Sequence, residues 1–234
     1  MMLYYMGYYF HPSYILVIIA SILVLMAQAK VNNAYSKYSK IDNDAHLTGE
    51  QVARMIIERY GLNVRVQKVS GHLSDHYDPS AKVVRLSTEI YEGRSIAALA
   101  VAAHECGHAL QHQENYVMLK VRSGLLPLAN GGNYLGWFAI MIGLLASNFT
   151  IAMIGFFMLC FMLLFQLATL PVEFDASKRA LNILESDGFL DMNETGMAKN
   201  MLQAAALTYV AGVASTMLNL LRVLWMILGS SRRD

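Results

Sequence analysis

AAHECGHALQH, Ala102 to His112, sets His104 and His108 four residues apart with Glu105 beside the first. On a helix this spacing sends both imidazoles off one face. Two imidazoles so placed can close on a single Zn²⁺, and Glu105 is then near enough to serve as a general base toward water. A catalytic zinc takes three protein ligands and keeps one position open, so a third ligand is expected elsewhere in the chain.

The surrounding composition is not that of a soluble protein. Of 234 residues, 56% are hydrophobic and only 15% charged, and the mean hydropathy is +0.38, which predicts a chain embedded in a lipid bilayer. A net charge of +1 supplies no electrostatic footprint for nucleic acid, so no nucleic-acid partner is expected. The two cysteines fall in the HExxH stretch (Cys106) and in an apolar run (Cys160), which predicts free thiols rather than a disulfide. Cys106 follows Glu105 and points away from the histidine face, so a structural thiol is expected there.

Residues 1–29 carry no Lys, Arg, Asp or Glu, and run from a tyrosine-rich head (Tyr4, Tyr5, Tyr8, Tyr9) into the apolar segment from Tyr14 to Ala29. Ala27-Gln28-Ala29 resembles a signal-peptide cleavage site, but a basic leader is missing and Lys30, Lys37 and Lys40 follow the apolar run. An uncleaved transmembrane anchor is expected.

Residues 30–124 turn polar and predict a small α+β unit. Thr48-Gly-Glu-Gln51 is a capping-box pattern that opens a helix with Val52, Met55, Ile56 and Tyr60 on its apolar side and Gly61 as its stop. Asn63 to Val69 alternates as a strand. Ser74 to Tyr77 and Lys82 to Leu86 flank the turn residues Asp78-Pro79-Ser80 and read as two more strands. An edge strand beside the metal helix could take an extended peptide by strand addition, although simple sheet packing explains the pattern equally well. The metal helix itself is expected from Ser95 to Gln113, its first half made of small residues that allow close packing.

Residues 125–170 hold two apolar runs, Leu125 to Ala146 and Phe149 to Leu170, each near the roughly 20 residues that a bilayer needs. They predict a transmembrane hairpin. Asn130, Asn133, Gln166 and glycines 131, 132, 136 and 143 read as helix–helix packing and polar glue. Two crossings return the chain to the side of His104 and His108, where residues 171–204 begin with Pro171-Val-Glu-Phe-Asp175, a helix start with proline early and carboxylates in its first turn. Glu173 stands in an apolar neighbourhood where an unpaired carboxylate is costly, which makes it the natural third ligand. Asp175 and Ser177 are candidates to hydrogen-bond a ligating histidine.

Residues 205–234 form an apolar C-terminal helix that either spans the bilayer or lies at its interface, with Thr208, Gly212, Ser215, Asn219 and Arg222 along one face. Arg232 and Arg233 close the chain. Lys30, Lys37, Lys40, Lys120, Arg122, Lys178 and Arg179 flank the spans on the HExxH side, and by the positive-inside bias that side is cytoplasmic.

SDHYDPSAKVVRLSTEIYEGRSIAALAVAAHECGHALQH (Ser74 to His112), LPVEFDASKRAL (Leu170 to Leu181) and AALTYVAG (Ala205 to Gly212) closely resemble the YugP-type membrane zinc metallopeptidases of bacteria, in order and over nearly the whole chain. The resemblance implies one Zn²⁺ held by His104, His108 and Glu173, with Glu105 as catalytic base. A looser similarity links the chain to gluzincin membrane proteases, in which an Asp commonly follows the Glu ligand by a helical turn; here that place holds Ala176 or Ser177, with Asp175 only two residues on.

The expected fold is thus a mainly α membrane protein, with three to four transmembrane helices and a small cytoplasmic α+β zincin-like catalytic unit. The expected activity is metal-assisted hydrolysis of peptide bonds by an endopeptidase in the cell membrane. Its substrates would be membrane or membrane-associated proteins at the cytoplasmic face, and membrane partner proteins could assist. Tyr209, His76 and His112 are candidates for stabilising the developing oxyanion. The alternative is a partner-regulated or vestigial scaffold that keeps its metal; the intact Glu105 speaks against it, because a structural site needs no base.

Overall fold

The computed structural model describes residues 12–71 and 74–230; Tyr4, Tyr5, Tyr8, Tyr9, Arg232 and Arg233 lie outside the described residues. The chain is mainly helical. Its order is α1 (Tyr14–Tyr38), α2 (Gly49–Arg59), β1 (Arg65–Val69), β2 (His76–Asp78), β3 (Val83–Ser87), α3 (Thr88–Glu92), α4 (Ile96–Gln113), α5 (Val117–Leu145), α6 (Phe149–Ser186) and α7 (Met192–Ser230). Four of these, α1, α5, α6 and α7, are long and apolar enough to cross a membrane.

The chain divides into two compact units. The first takes the described residues of Met1–Ala27, Val121–Thr169 and Thr208–Asp234. Gly132, Gly136 and Gly143 of α5 meet Met158, Gly155 and Ala152 of α6 so closely that a Cβ would collide with the facing backbone. These three glycines therefore serve helix packing as expected, whereas Gly131 faces open space. Ile140, Leu159, Leu220, Val223 and Ile227 fill the core of this unit, while Leu128, Leu135, Phe138, Leu145 and Phe157 are at least half exposed, as side chains facing lipid would be. Asn219 Nδ2 donates to Ser215 O at 3.0 Å, and the Arg222 guanidinium lies 4.9 Å from the Tyr14 ring centre. Gln166 Oε1 is buried without a hydrogen-bond partner, so a role as polar glue is not realised at that atom.

The second unit comprises Gln28–Lys120 and Leu170–Leu207. Thr48 Oγ1 accepts from Gln51 N, and Gln51 Oε1 accepts from Thr48 N at 2.8 Å, so the capping box forms at the start of α2. Val52, Ala53 and Ile56 of that helix are fully buried, and Gly61 follows it with a φ of 60°. The three strands are ordered β1-β3-β2, with β1 parallel and β2 antiparallel to β3. Val84 and Leu86 are fully buried beneath α4, and β2 is left as an edge strand. Ser95 Oγ accepts from Ala98 N at 3.1 Å and opens α4, where Ala97, Ala98, Ala100, Ala102 and Ala103 are fully buried.

Three helix starts differ from those expected. Pro171 does not start a helix: α6 runs unbroken from Phe149 to Ser186 with Pro171 inside it. Proline lacks one donor, a loss that long apolar helices accommodate, and Val172, Ala176, Ala180 and Leu184 carry the helix on into the core of the second unit. Residues 171–204 are therefore not one helix but the end of α6, a turn, and the beginning of α7, which starts at Met192 rather than near residue 201 or 205. Asp191 and Glu194 cap α7 reciprocally: Glu194 N donates to Asp191 Oδ1 at 2.7 Å and Asp191 N to Glu194 Oε2 at 2.9 Å. The α5 helix likewise begins at Val117, ahead of the apolar run at Leu125, and passes through Pro127.

Candidate metal centre

The HExxH stretch lies in the second half of α4, and its helical period puts His104 and His108 side by side. Their ring centres are 4.7 Å apart, edge to face. Opposite them stands Glu173 of α6, whose Oε2 is 3.5 Å from His104 Nε2 and 3.7 Å from His108 Nε2. The three ligand atoms lie within 4.8 Å of one another, and the Glu173 side chain is only 5% exposed. Because Glu173 is in mid-helix, no helix N-terminus is there to explain its charge.

The close approach of α4 and α6 depends on Gly107, the single glycine of α4. A Cβ at this position would lie 2.7 Å from Ala176 O, closer than any side chain tolerates. Gly107 stands between the two histidines and Ala176 one turn beyond Glu173, so this contact sets the gap across the site.

Polar partners hold the two histidines. Ser177 Oγ is 3.2 Å from His104 Nδ1. His108 Nδ1 is 3.0 Å from Gln111 Oε1. Gln111 is fully buried, and its Nε2 donates to Val172 O and to Asp175 Oδ2, both at 2.8 Å. Arg179 in turn donates from Nε to Asp175 Oδ2 at 2.6 Å and from Nη1 to Glu114 at 2.7 Å. Of the two residues expected to hold a histidine, Ser177 does so directly and Asp175 acts through Gln111. The sequence reading does not single out Gln111 or Gly107 and takes Arg179 only as a basic flank; the spacings of three from His108 to Gln111 and of four from Asp175 to Arg179 were the available signals for those two, and nothing local marks Gly107.

Glu105 is 8% exposed, and its Oε2 accepts from the Tyr77 backbone N–H of edge strand β2 at 2.8 Å. The Tyr77 hydroxyl is 2.8 Å from His112 Nδ1, so Tyr77 ties β2 to α4 at two points. His76 is exposed, with Nδ1 2.8 Å from Ser74 O. Tyr209 belongs to the first unit, so His76 and His112 are the oxyanion candidates within the unit that holds the site. Cys106 is fully buried, its Sγ 3.8 Å from Ala53 O, and burial pushes its thiol well above the ordinary range; it is no ligand. Burial also works against a charge on His108, but the nearby carboxylates of Glu173 and Glu105 outweigh it and raise its pKa.

Two imidazole nitrogens and one carboxylate oxygen, converging at a polar and nearly closed spot, are the donor set that suits zinc. The matching family model, described as "Putative neutral zinc metallopeptidase", spans residues 13–228. The chain belongs to this zinc metallopeptidase family. Within it, the chain is 43% identical over 207 residues to the "Putative membrane protease YugP" of Bacillus subtilis (strain 168), covering 88% of this chain and 92% of that relative. No solved structure matches the chain. Zinc is the ion that the family description names, and the grouping of His104, His108 and Glu173 fits it.

Proposed function

We propose that the chain is a multi-pass membrane endopeptidase that uses one zinc ion to hydrolyse membrane or membrane-associated proteins at the cytoplasmic face. The observation that carries the reading is the convergence of His104 Nε2, His108 Nε2 and Glu173 Oε2, with Glu105 next to His104 on the same helix. His104, His108 and Glu173 would hold the ion. Bound there, zinc supplies Lewis acidity that polarises a carbonyl and acidifies water. Glu105 accepts the proton of the attacking water and delivers it to the amine nitrogen as the C–N bond breaks. The Tyr77 amide fixes one oxygen of Glu105 and leaves the other for this transfer. Because β2 is the edge of its sheet, a peptide laid along it passes directly beside Glu105.

The four long apolar helices support α1 and the hairpin of α5 and α6 as membrane segments, and α7 as a fourth crossing. The basic residues from Lys30 to Lys40, with Lys120, Arg122, Lys178 and Arg179, support a cytoplasmic catalytic unit.

The test is purified protein with its zinc content and its cleavage of an unfolded membrane-protein panel, wild type against Glu105→Gln. Zinc retained with cleavage lost is expected. Cleavage by Glu105→Gln at the wild-type rate would overturn the assignment.

A further inference from the structure

Gln111 lies outside HExxH, yet it touches both sides of the metal centre. An amide presents one acceptor and one donor end, and which end faces which partner follows from the partners. Val172 O can only accept. Asp175, held by the Arg179 guanidinium, is likewise an acceptor. Both therefore require the NH₂ end of Gln111, which lies 2.8 Å from each. Its oxygen is left for His108 Nδ1 at 3.0 Å, and an oxygen there requires a proton on Nδ1. His108 Nε2 is then the nitrogen whose lone pair is free to point at Glu173 and a cation. Ser177 differs in kind, because a hydroxyl beside His104 Nδ1 can donate or accept and so does not dictate a tautomer.

We infer that Gln111 is a positioning residue that sets the metal-binding tautomer of His108 and, through Val172, fixes the register of the helix that carries Glu173. Val172 immediately precedes Glu173, so one buried side chain holds two ligands that come from different helices. Arg179 and Asp175 act behind it by keeping its amide from turning over.

The polarity of this arrangement supplies a test that loss of packing alone does not imitate. Gln111→Glu sets a carboxylate against Val172 O and Asp175. The new carboxylate still accepts from His108 Nδ1, so Gln111→Glu keeps that contact and loses the two donor contacts to the helix that carries Glu173. Zinc affinity is measured by chelator competition on the full-length protein in detergent, together with the visible spectrum of the Co²⁺-loaded protein. Gln111→Glu should bind zinc about 10- to 100-fold more weakly and shift the Co²⁺ spectrum. Gln111→Leu, which keeps bulk and removes both polar ends, should lose about 10-fold or more and remains readable if Gln111→Glu does not fold. Unchanged zinc affinity and an unchanged Co²⁺ spectrum in Gln111→Leu would overturn the role. The inference rests on the zinc-site reading: a wild-type protein without zinc affinity contradicts that reading, whereas wild-type affinity indifferent to these variants contradicts the role of Gln111 alone.

Discussion

Gly107→Ala adds one methyl at the contact that sets the width of the metal centre. The new Cβ would meet Ala176 O at 2.7 Å, with Ala176 C and Cα at 3.3 Å, so the carbonyl is about 0.7 Å inside ordinary contact at 3.4 Å. Ala176 sits within α6 and its backbone cannot yield alone, so α4 and α6 must separate by most of that distance. Overpacking of this kind costs about 1–3 kcal/mol, while replacing a helical glycine by alanine returns about 1 kcal/mol. Net stability should therefore fall by no more than about 2 kcal/mol. The metal site should suffer more, because zinc–nitrogen and zinc–oxygen bonds tolerate errors of only about 0.2 Å. Zinc affinity is expected to drop at least about 10-fold and hydrolysis about 100-fold. Gly196 of α7, in the same unit, has open space where a Cβ would go, and Gly196→Ala should instead stabilise by up to about 1 kcal/mol with zinc binding unchanged. Chelator competition and thermal unfolding of both variants check this. Wild-type zinc affinity in Gly107→Ala, with a raised melting temperature, would refute the claim that this contact sets the site.

Other consequences are open to direct measurement. Thr48→Ala removes the side-chain cap of α2 and should cost about 1 kcal/mol in denaturant unfolding without changing zinc content. Hydrogen bonds from Arg85, then from the Ala81 and Ser80 amides, hold the Asp78 carboxyl down to about 2, below its ordinary value. That contribution to stability is present above the unfolded carboxyl's pKa and is lost as pH falls through about 2; side-chain NMR titration should show Arg85→Gln moving Asp78 back toward roughly 3.9. Cys106, fully buried with a raised pKa, should resist alkylation in the folded protein and react on unfolding, as read by mass spectrometry.

The grouping of His104 and His108 was legible because four-residue spacing on a helix is a local property, and the approach of Glu173 to them because a lone carboxylate in apolar surroundings asks for a partner. The capping box at Thr48 and the start of α4 at Ser95 were legible for the same local reason. What escaped depends on contacts between distant segments. Nothing in the alternation of residues 65–69 says that this strand pairs in parallel with residues 83–87, passing over β2, which comes between them only in sequence. Gln111 acquires its role only when α6 brings Val172 and Asp175 to it. Pro171 misled because its local preference is to open a helix, whereas apolar side chains on both sides keep α6 continuous. The capping pair Asp191 and Glu194 carried a readable signature that the smooth apolar run after Met201 overshadowed.

The central claim is that His104, His108 and Glu173 together hold zinc. X-ray absorption on the zinc-loaded protein tests it most directly. Two imidazoles and a carboxylate are expected, with all nearest ligands nitrogen or oxygen at about 2.0–2.2 Å, and one imidazole fewer in His108→Ala. A sulfur shell at about 2.3 Å, or a spectrum that Glu173→Ala and His108→Ala both leave unaltered, would contradict it.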